Sequence, residues 1–188
     1  VIGPSGLKAP RGERYDSCVT SDRAAIRASA VTLFAAWLVH DVEEAFAFPA
    51  TSRLLAKRLG TSRVLVTPAQ SVAAIALVGA LVATACVRGA HSTGESRLFR
   101  AVLAGLEAHV GTHLAASVLL GRYTAGTVTA PLVMLPGARR ARASLRRTDS
   151  PLVPADTVRG AALMLSAALE AHLIARIVLP GRPGAPVH

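Results

Sequence analysis

Residues 64–87 form a run of 24 with no ionisable side chain other than Cys86. A helix needs about 20 predominantly apolar residues to cross the hydrocarbon core of a bilayer, so this stretch alone points to a membrane span. The rest of the chain agrees. Over 188 residues, 52% are apolar and only 17% charged, where a soluble domain carries about a quarter. That balance argues against a soluble enzyme. It also argues against a nucleic-acid-binding module, despite a formal net charge of +10.

Five apolar segments stand out, at about 24–50, 64–87, 98–120, 123–138 and 157–179. Ala and Leu dominate and period-two alternation is absent, so the expected fold is all-α, a multi-span transmembrane helix bundle. The fourth segment is short and holds Pro131 and Pro136, which predicts a kinked, tilted or partly inserted element. Residues 1–22 read as a polar, disordered leader, 23–180 as the membrane domain and 181–188 as a short tail. The leader lacks an apolar core of signal-peptide length, so the first span is expected to double as the insertion signal. Two cysteines, Cys18 and Cys86, make neither a disulfide framework nor a CxxC site.

Basic residues predict an orientation. On alternating connections, Arg53, Lys57, Arg58, Arg63, Arg122, Arg176 and Arg182 fall on one side and the other 14 of the 21 Lys and Arg on the other. The positive-inside rule then places the N-terminus in the cytoplasm and the C-terminus outside a cell membrane. The basic run 139–147 reads as a topology anchor. It has no interleaved aromatics, so no nucleic-acid partner is expected.

The chemistry sits inside the spans. At 100° per residue, Glu43 and Glu44 flank His40 on one helix face, about 60° to one side and 40° to the other. His109 and His113, at i and i+4, share a face of the third span, while Glu107 points nearly opposite His109. The fifth span carries Glu170, His172 and Arg176. His40, His113 and His172 each follow an arginine (Arg27, Arg100, Arg159) by 13 residues. With those arginines at one interface, the three imidazoles lie at one level, about 20 Å in. Ionisable groups at that depth are costly unless paired, protonated or metal-bound. A purely structural polar clamp between helices is the alternative to a functional site. His91 and His188 fall in a loop and in the tail.

The run His40-Asp41-Val42-Glu43-Glu44, followed by Phe48-Pro49, resembles the signature of the HXXEE-domain membrane proteins. His113, then Tyr123-Thr124-Ala125-Gly126, then Pro136 continue the resemblance in order, across about 32–137. Ala125 stands where that family usually has proline, and His109 where an asparagine is expected. The resemblance implies an integral membrane protein and supplies no reaction.

Imidazoles with a carboxylate suit Zn²⁺ or non-haem Fe. The leading expectation is therefore a metal-dependent intramembrane enzyme, a hydrolase or an oxidase, acting on a hydrophobic or lipid-like substrate. Its metal ligands would come from His40, Glu44, His109, His113 and His172, with Glu43 and Glu44 as catalytic carboxylates. A metal-free acid/base isomerase or cyclase uses the same groups differently. An ion or proton carrier is a third reading, weakened because the ionisable groups concentrate in one layer. Oligomeric state is not legible.

Overall fold

The computed structural model describes residues 11–180, and among these there are helices and no strands. Helix α1 (Arg11–Leu59) is followed by a 3₁₀ turn (Ser62–Val64), α2 (Pro68–His91), α3 (Arg97–Leu120), a π-helical turn (Ala130–Met134), α4 (Leu135–Arg147) and α5 (Pro154–Val178). Four helices are long and apolar enough to cross a membrane: Thr20–Leu59, Pro68–His91, Arg97–Leu120 and Pro154–Val178. The chain is an all-helical bundle of the multi-span kind.

Sequence signals set several helix ends. Thr67 and Gln70 form a reciprocal capping box at the start of α2, with Pro68 in the first turn. Ser96 caps α3 through Phe99 N–H, and Gly121, at φ 62°, ends it in the left-handed conformation. Asp156 opens α5 by accepting from Val153 N–H and from Arg100.

Two expectations are corrected. Helix α1 already includes residues 11–22, most of the expected leader, and it runs on past Pro49 through the basic stretch to Leu59. Residues 1–10 and 181–188 lie outside the described residues. Ser52 helps to seat the upper end of α1, donating to Pro49 C=O and accepting from Val66 N–H. The run 139–147 is the body of α4. Arginine and alanine are strong helix formers, and the run holds neither glycine nor proline, lying between Pro136-Gly137 and Pro151.

The fourth apolar segment is not one helix. After Gly121 the chain folds back along α1 as turns through Thr129, then as the π turn, then as α4. Thr51 of α1 accepts from Ala125 N–H at one end of this return, and Ser29 meets Ser144 at the other. Thr51 to Ser29 is 22 positions of α1, about 33 Å, close to the thickness of a bilayer core. The return therefore runs most of the length of the bundle beside α1 without being a long helix. Pro131 and Pro136 each remove a backbone donor there, which suits a π turn better than a regular helix.

Contacts fix which ends lie together. Gln70 donates to Leu179 C=O, Arg176 to Leu65 C=O, and Arg58 to Leu120 C=O. At the opposite end Arg100 donates to Ser150, Pro151 and Asp156. Between them lies a core of Ile26, Leu33, Trp37, Val82, Phe99, Leu103, Leu106, Met134 and Leu145. The most extensive helix contact is α3 on α5. It is allowed by Gly105 and Gly160, since a Cβ on Gly160 would collide with the Ala101 carbonyl and with Gly105 N, 2.5 Å away. Lipid offers little hydrophobic drive for association, so close packing of small residues carries such a crossing.

Candidate metal centre

The long α1 presents His40, Asp41, Glu43 and Glu44, α3 presents His109 and His113, and the returning segment 121–129 closes over them. Ligand atoms of His40, Glu44, His109 and His113 all lie within 4.8 Å of one another. His113 Nε2 is 2.9 Å from His109 Nε2 and 3.7 Å from a Glu44 carboxylate oxygen. The His40 ring centroid is 4.8 Å from that of His113. His40 and His113 are buried.

Hydrogen bonds on the far side of each ring decide what it offers to the middle. His113 Nδ1 lies 2.8 Å from Ala125 C=O. A carbonyl only accepts, so His113 carries its proton on Nδ1 and leaves the Nε2 lone pair bare. Glu43 accepts from Tyr123 O–H, from Thr129 N–H at 2.9 Å and from the Thr129 hydroxyl. That hydroxyl has spent its proton on Glu43, so it accepts from His40 Nδ1–H at 2.9 Å. His40 Nε2 is then a bare lone pair too. It is buried and has no hydrogen-bond partner. Thr112 donates to His109 C=O at 2.7 Å and sits 3.1 Å from His109 Nδ1. With the hydroxyl proton on the carbonyl, His109 Nδ1–H donates to Thr112, and a third Nε2 lone pair faces inward.

Three imidazole lone pairs and a carboxylate thus converge on one point. Bare nitrogens 2.9 Å apart repel unless a proton or a cation stands between them. Ligands about 2.0–2.1 Å from a tetrahedral zinc are about 3.4 Å from one another. The observed spread, from 2.9 Å to no more than 4.8 Å, brackets that figure, so the widest pair need close by no more than about 1.4 Å to hold an ion. The outer partners resemble those of metal-binding histidines: a carbonyl for His113, a hydroxyl backed by the Glu43 carboxylate for His40, and the Thr112 hydroxyl for His109.

Gly126 completes the site by its lack of a side chain. Its φ is +80°, and an added Cβ would fall 2.5 Å from His113 Nδ1 and 2.6 Å from His40 Cε1. Only glycine lets the returning backbone lie against both rings.

The two adjacent glutamates part company. They are 100° apart on the helix, so Glu44 turns into the cluster while Glu43 turns to the returning segment and tethers it. His172 lies outside the ligand group. Its Nδ1 donates to Ala168 C=O, and its ring packs on Phe48 with centroids 5.0 Å apart. Gly160 seats between Ala101 and Gly105, so twelve residues further on His172 reaches about the level of His113. Its depth matches the common offset from the arginines, but α5 packs mainly on α2 and α3, and the other ring nitrogen, Nε2, is buried without a hydrogen-bond partner. Glu107 pairs with Arg142 of α4 through both carboxylate oxygens. Glu170 is exposed and His91 lies at the last turn of α2.

Sequence reasoning missed Thr129, Tyr123 and Gly126 as parts of the site. Tyr123 and Gly126 stand in the motif series after His113, which was their available signal. Thr129 had none. Asp41 was also passed over; it is buried, with Oδ2 unpartnered.

A family model described as "Protein of unknown function with HXXEE motif" matches residues 31–140, which takes in α1 from its middle, α2, α3 and the return as far as Arg140. No curated protein and no solved structure matches the chain.

Proposed function

From the premise that the chain belongs to the family of proteins of unknown function with an HXXEE motif, we propose that it holds a divalent metal ion, zinc or non-haem iron, at His40, Glu44, His109 and His113. We read it as an integral membrane protein whose centre acts on a hydrophobic or lipid-like substrate within the bilayer. The observation that carries this reading is the convergence of three Nε2 lone pairs on Glu44, each ring turned by a partner on its other nitrogen.

Bound zinc lowers the pKa of a coordinated water to about 7, which suits hydrolysis, whereas iron suits oxidative chemistry. His40 and His113 are the rigid ligands, because both rings are buried and each is held through Nδ1 by Thr129 or Ala125. Glu44 has no hydrogen bond of its own among the described residues and is free to move between ligand and acceptor for a bound water. Glu43 acts through Thr129 and Tyr123 to keep the returning segment over the site. The charge asymmetry supports an orientation in the cell membrane with the N-terminus in the cytoplasm.

One observation favours a second reading. With the proton of His109 on Nε2, the 2.9 Å contact to His113 is an ordinary hydrogen bond, and the cluster is a metal-free acid/base site for an isomerase or cyclase. In that form the single hydroxyl proton of Thr112 serves either His109 Nδ1 or His109 C=O, so one of those two hydrogen bonds is lost. Elemental analysis of the detergent-purified protein separates the two. The metal reading expects near-stoichiometric zinc or iron, sharply reduced by His113→Ala and unchanged by His91→Ala. Absence of metal, with thermal stability indifferent to chelator, would refute it in favour of the acid/base site.

A further inference from the structure

We propose that the α3–α4 groove on the side of α4 away from α1 binds the phosphate headgroup of an anionic phospholipid. The groove has a volume of about 430 Å³ and is lined by Glu107, Leu135, Arg139, Arg142, Ala143 and Arg146. Counted at 100° per residue, Leu135, Arg139, Arg142 and Arg146 fall within an arc of about 60°, one ladder along α4. Arg139 and Arg146 are exposed, and Arg142 is held in place by Glu107.

Charge and depth point to an anion. One carboxylate faces three guanidinium groups, which leaves two positive charges uncompensated in the groove. Arg139 lies eight residues inside the end of α4 at Arg147, about 12 Å along the helix. A guanidinium at that depth on an outward face needs a counter-ion, and planar donor forks suit phosphate oxygens. The same ladder turns apolar one turn further in, at Leu135 and then at Leu132, which is 70% exposed. A basic foot beneath an apolar stripe matches a headgroup and its acyl chain. Basic pockets between spanning helices bind lipid headgroups in this way. The inference does not depend on the metal centre.

The test is native mass spectrometry of the detergent-solubilised full chain offered an equimolar mixture of phosphatidylglycerol and phosphatidylcholine. The wild type should retain phosphatidylglycerol preferentially. Each arginine at an anionic headgroup is worth about five-fold, so Arg139→Gln with Arg146→Gln should cut the preference by about thirty-fold. Arg53→Gln with Lys57→Gln removes the same charge at the opposite end of α1 and should leave it within about two-fold. If the groove pair fails to fold, Arg146→Gln alone carries the test, at about five-fold. No preference in the wild type, equal loss in both pairs, or complete displacement of the lipid by excess inorganic phosphate would overturn the proposal.

Discussion

Thr129→Val is the most incisive perturbation of the site, because valine keeps the shape of threonine and removes one hydroxyl. That hydroxyl is the sole link between His40 Nδ1 and Glu43, accepting from the ring at 2.9 Å and donating to the carboxylate. Glu43 keeps two of its three donors, Thr129 N–H and Tyr123 O–H, so the returning segment stays anchored. His40 loses the only partner that holds its proton on Nδ1. Removing such an outer partner of a metal-binding histidine costs about 10–100-fold in metal affinity, or about 1.4–2.7 kcal/mol. The loss of one hydrogen bond to a charged group, about 1.5–3 kcal/mol, falls in the same range. Zinc affinity measured by competition with a chromogenic chelator should therefore fall by that factor, and Thr129→Ser should restore it. Thr127→Val is the control. Its hydroxyl bonds to Ser117 of α3 and to Thr124 of the same segment and has no hydrogen bond to the cluster. A Thr129→Val affinity within about two-fold of wild type, or an equal loss in Thr127→Val, would refute the argument that the far-side hydrogen bonds prepare the ligands.

Gly126→Ala should abolish metal binding and lower stability in detergent by about 2–5 kcal/mol, combining left-handed backbone strain with overpacking; an unchanged melting temperature would contradict the close approach to both rings. His172→Ala should leave bound metal unchanged while His109→Ala reduces it, and elemental analysis showing the reverse would return His172 to the ligand set. Gly160→Ala should lower the melting temperature through the α3–α5 crossing, by about 1–3 kcal/mol of overpacking, and a neutral result would show that the two helices separate freely. With Cys18 and Cys86 replaced, Glu95→Cys should label only from the cytoplasmic side and Ser62→Cys only from outside, and the opposite pattern would invert the orientation.

The long apolar runs were legible because bilayer thickness imposes a minimum length on any span. Residues 64–87, 98–120 and 157–179 appear in the structure as Pro68–His91, Arg97–Leu120 and Pro154–Val178, shifted by a few residues where caps take over. The ends of α1 and the helical state of 139–147 were not legible from hydropathy. Polarity says where a helix leaves the lipid, whereas propensity and the absence of breakers say where it stops. Leu59 is followed by Gly60 at φ 64°, and that glycine, not the charge of Lys57 and Arg58, ends α1.

The site divides in the same way. Helical spacing brings His40 toward Glu44 and His109 toward His113, because residues four apart stack on one face whatever the surroundings. Which of two adjacent carboxylates enters the cluster, and which way α5 turns His172, are azimuthal questions that packing answers. The equal offset of 13 residues from three arginines carries information about depth alone. The least legible part is the stretch that does most to prepare the ligands, where Ala125 acts through a carbonyl, Gly126 through a missing Cβ and Thr129 through a hydroxyl. None of these is a metal ligand by type, so no ligand-spacing rule can find them. They become visible only once the chain is seen to turn back along α1 and deliver an acceptor to the outer nitrogen of His113 and of His40, with Glu43 set to hold the second in place.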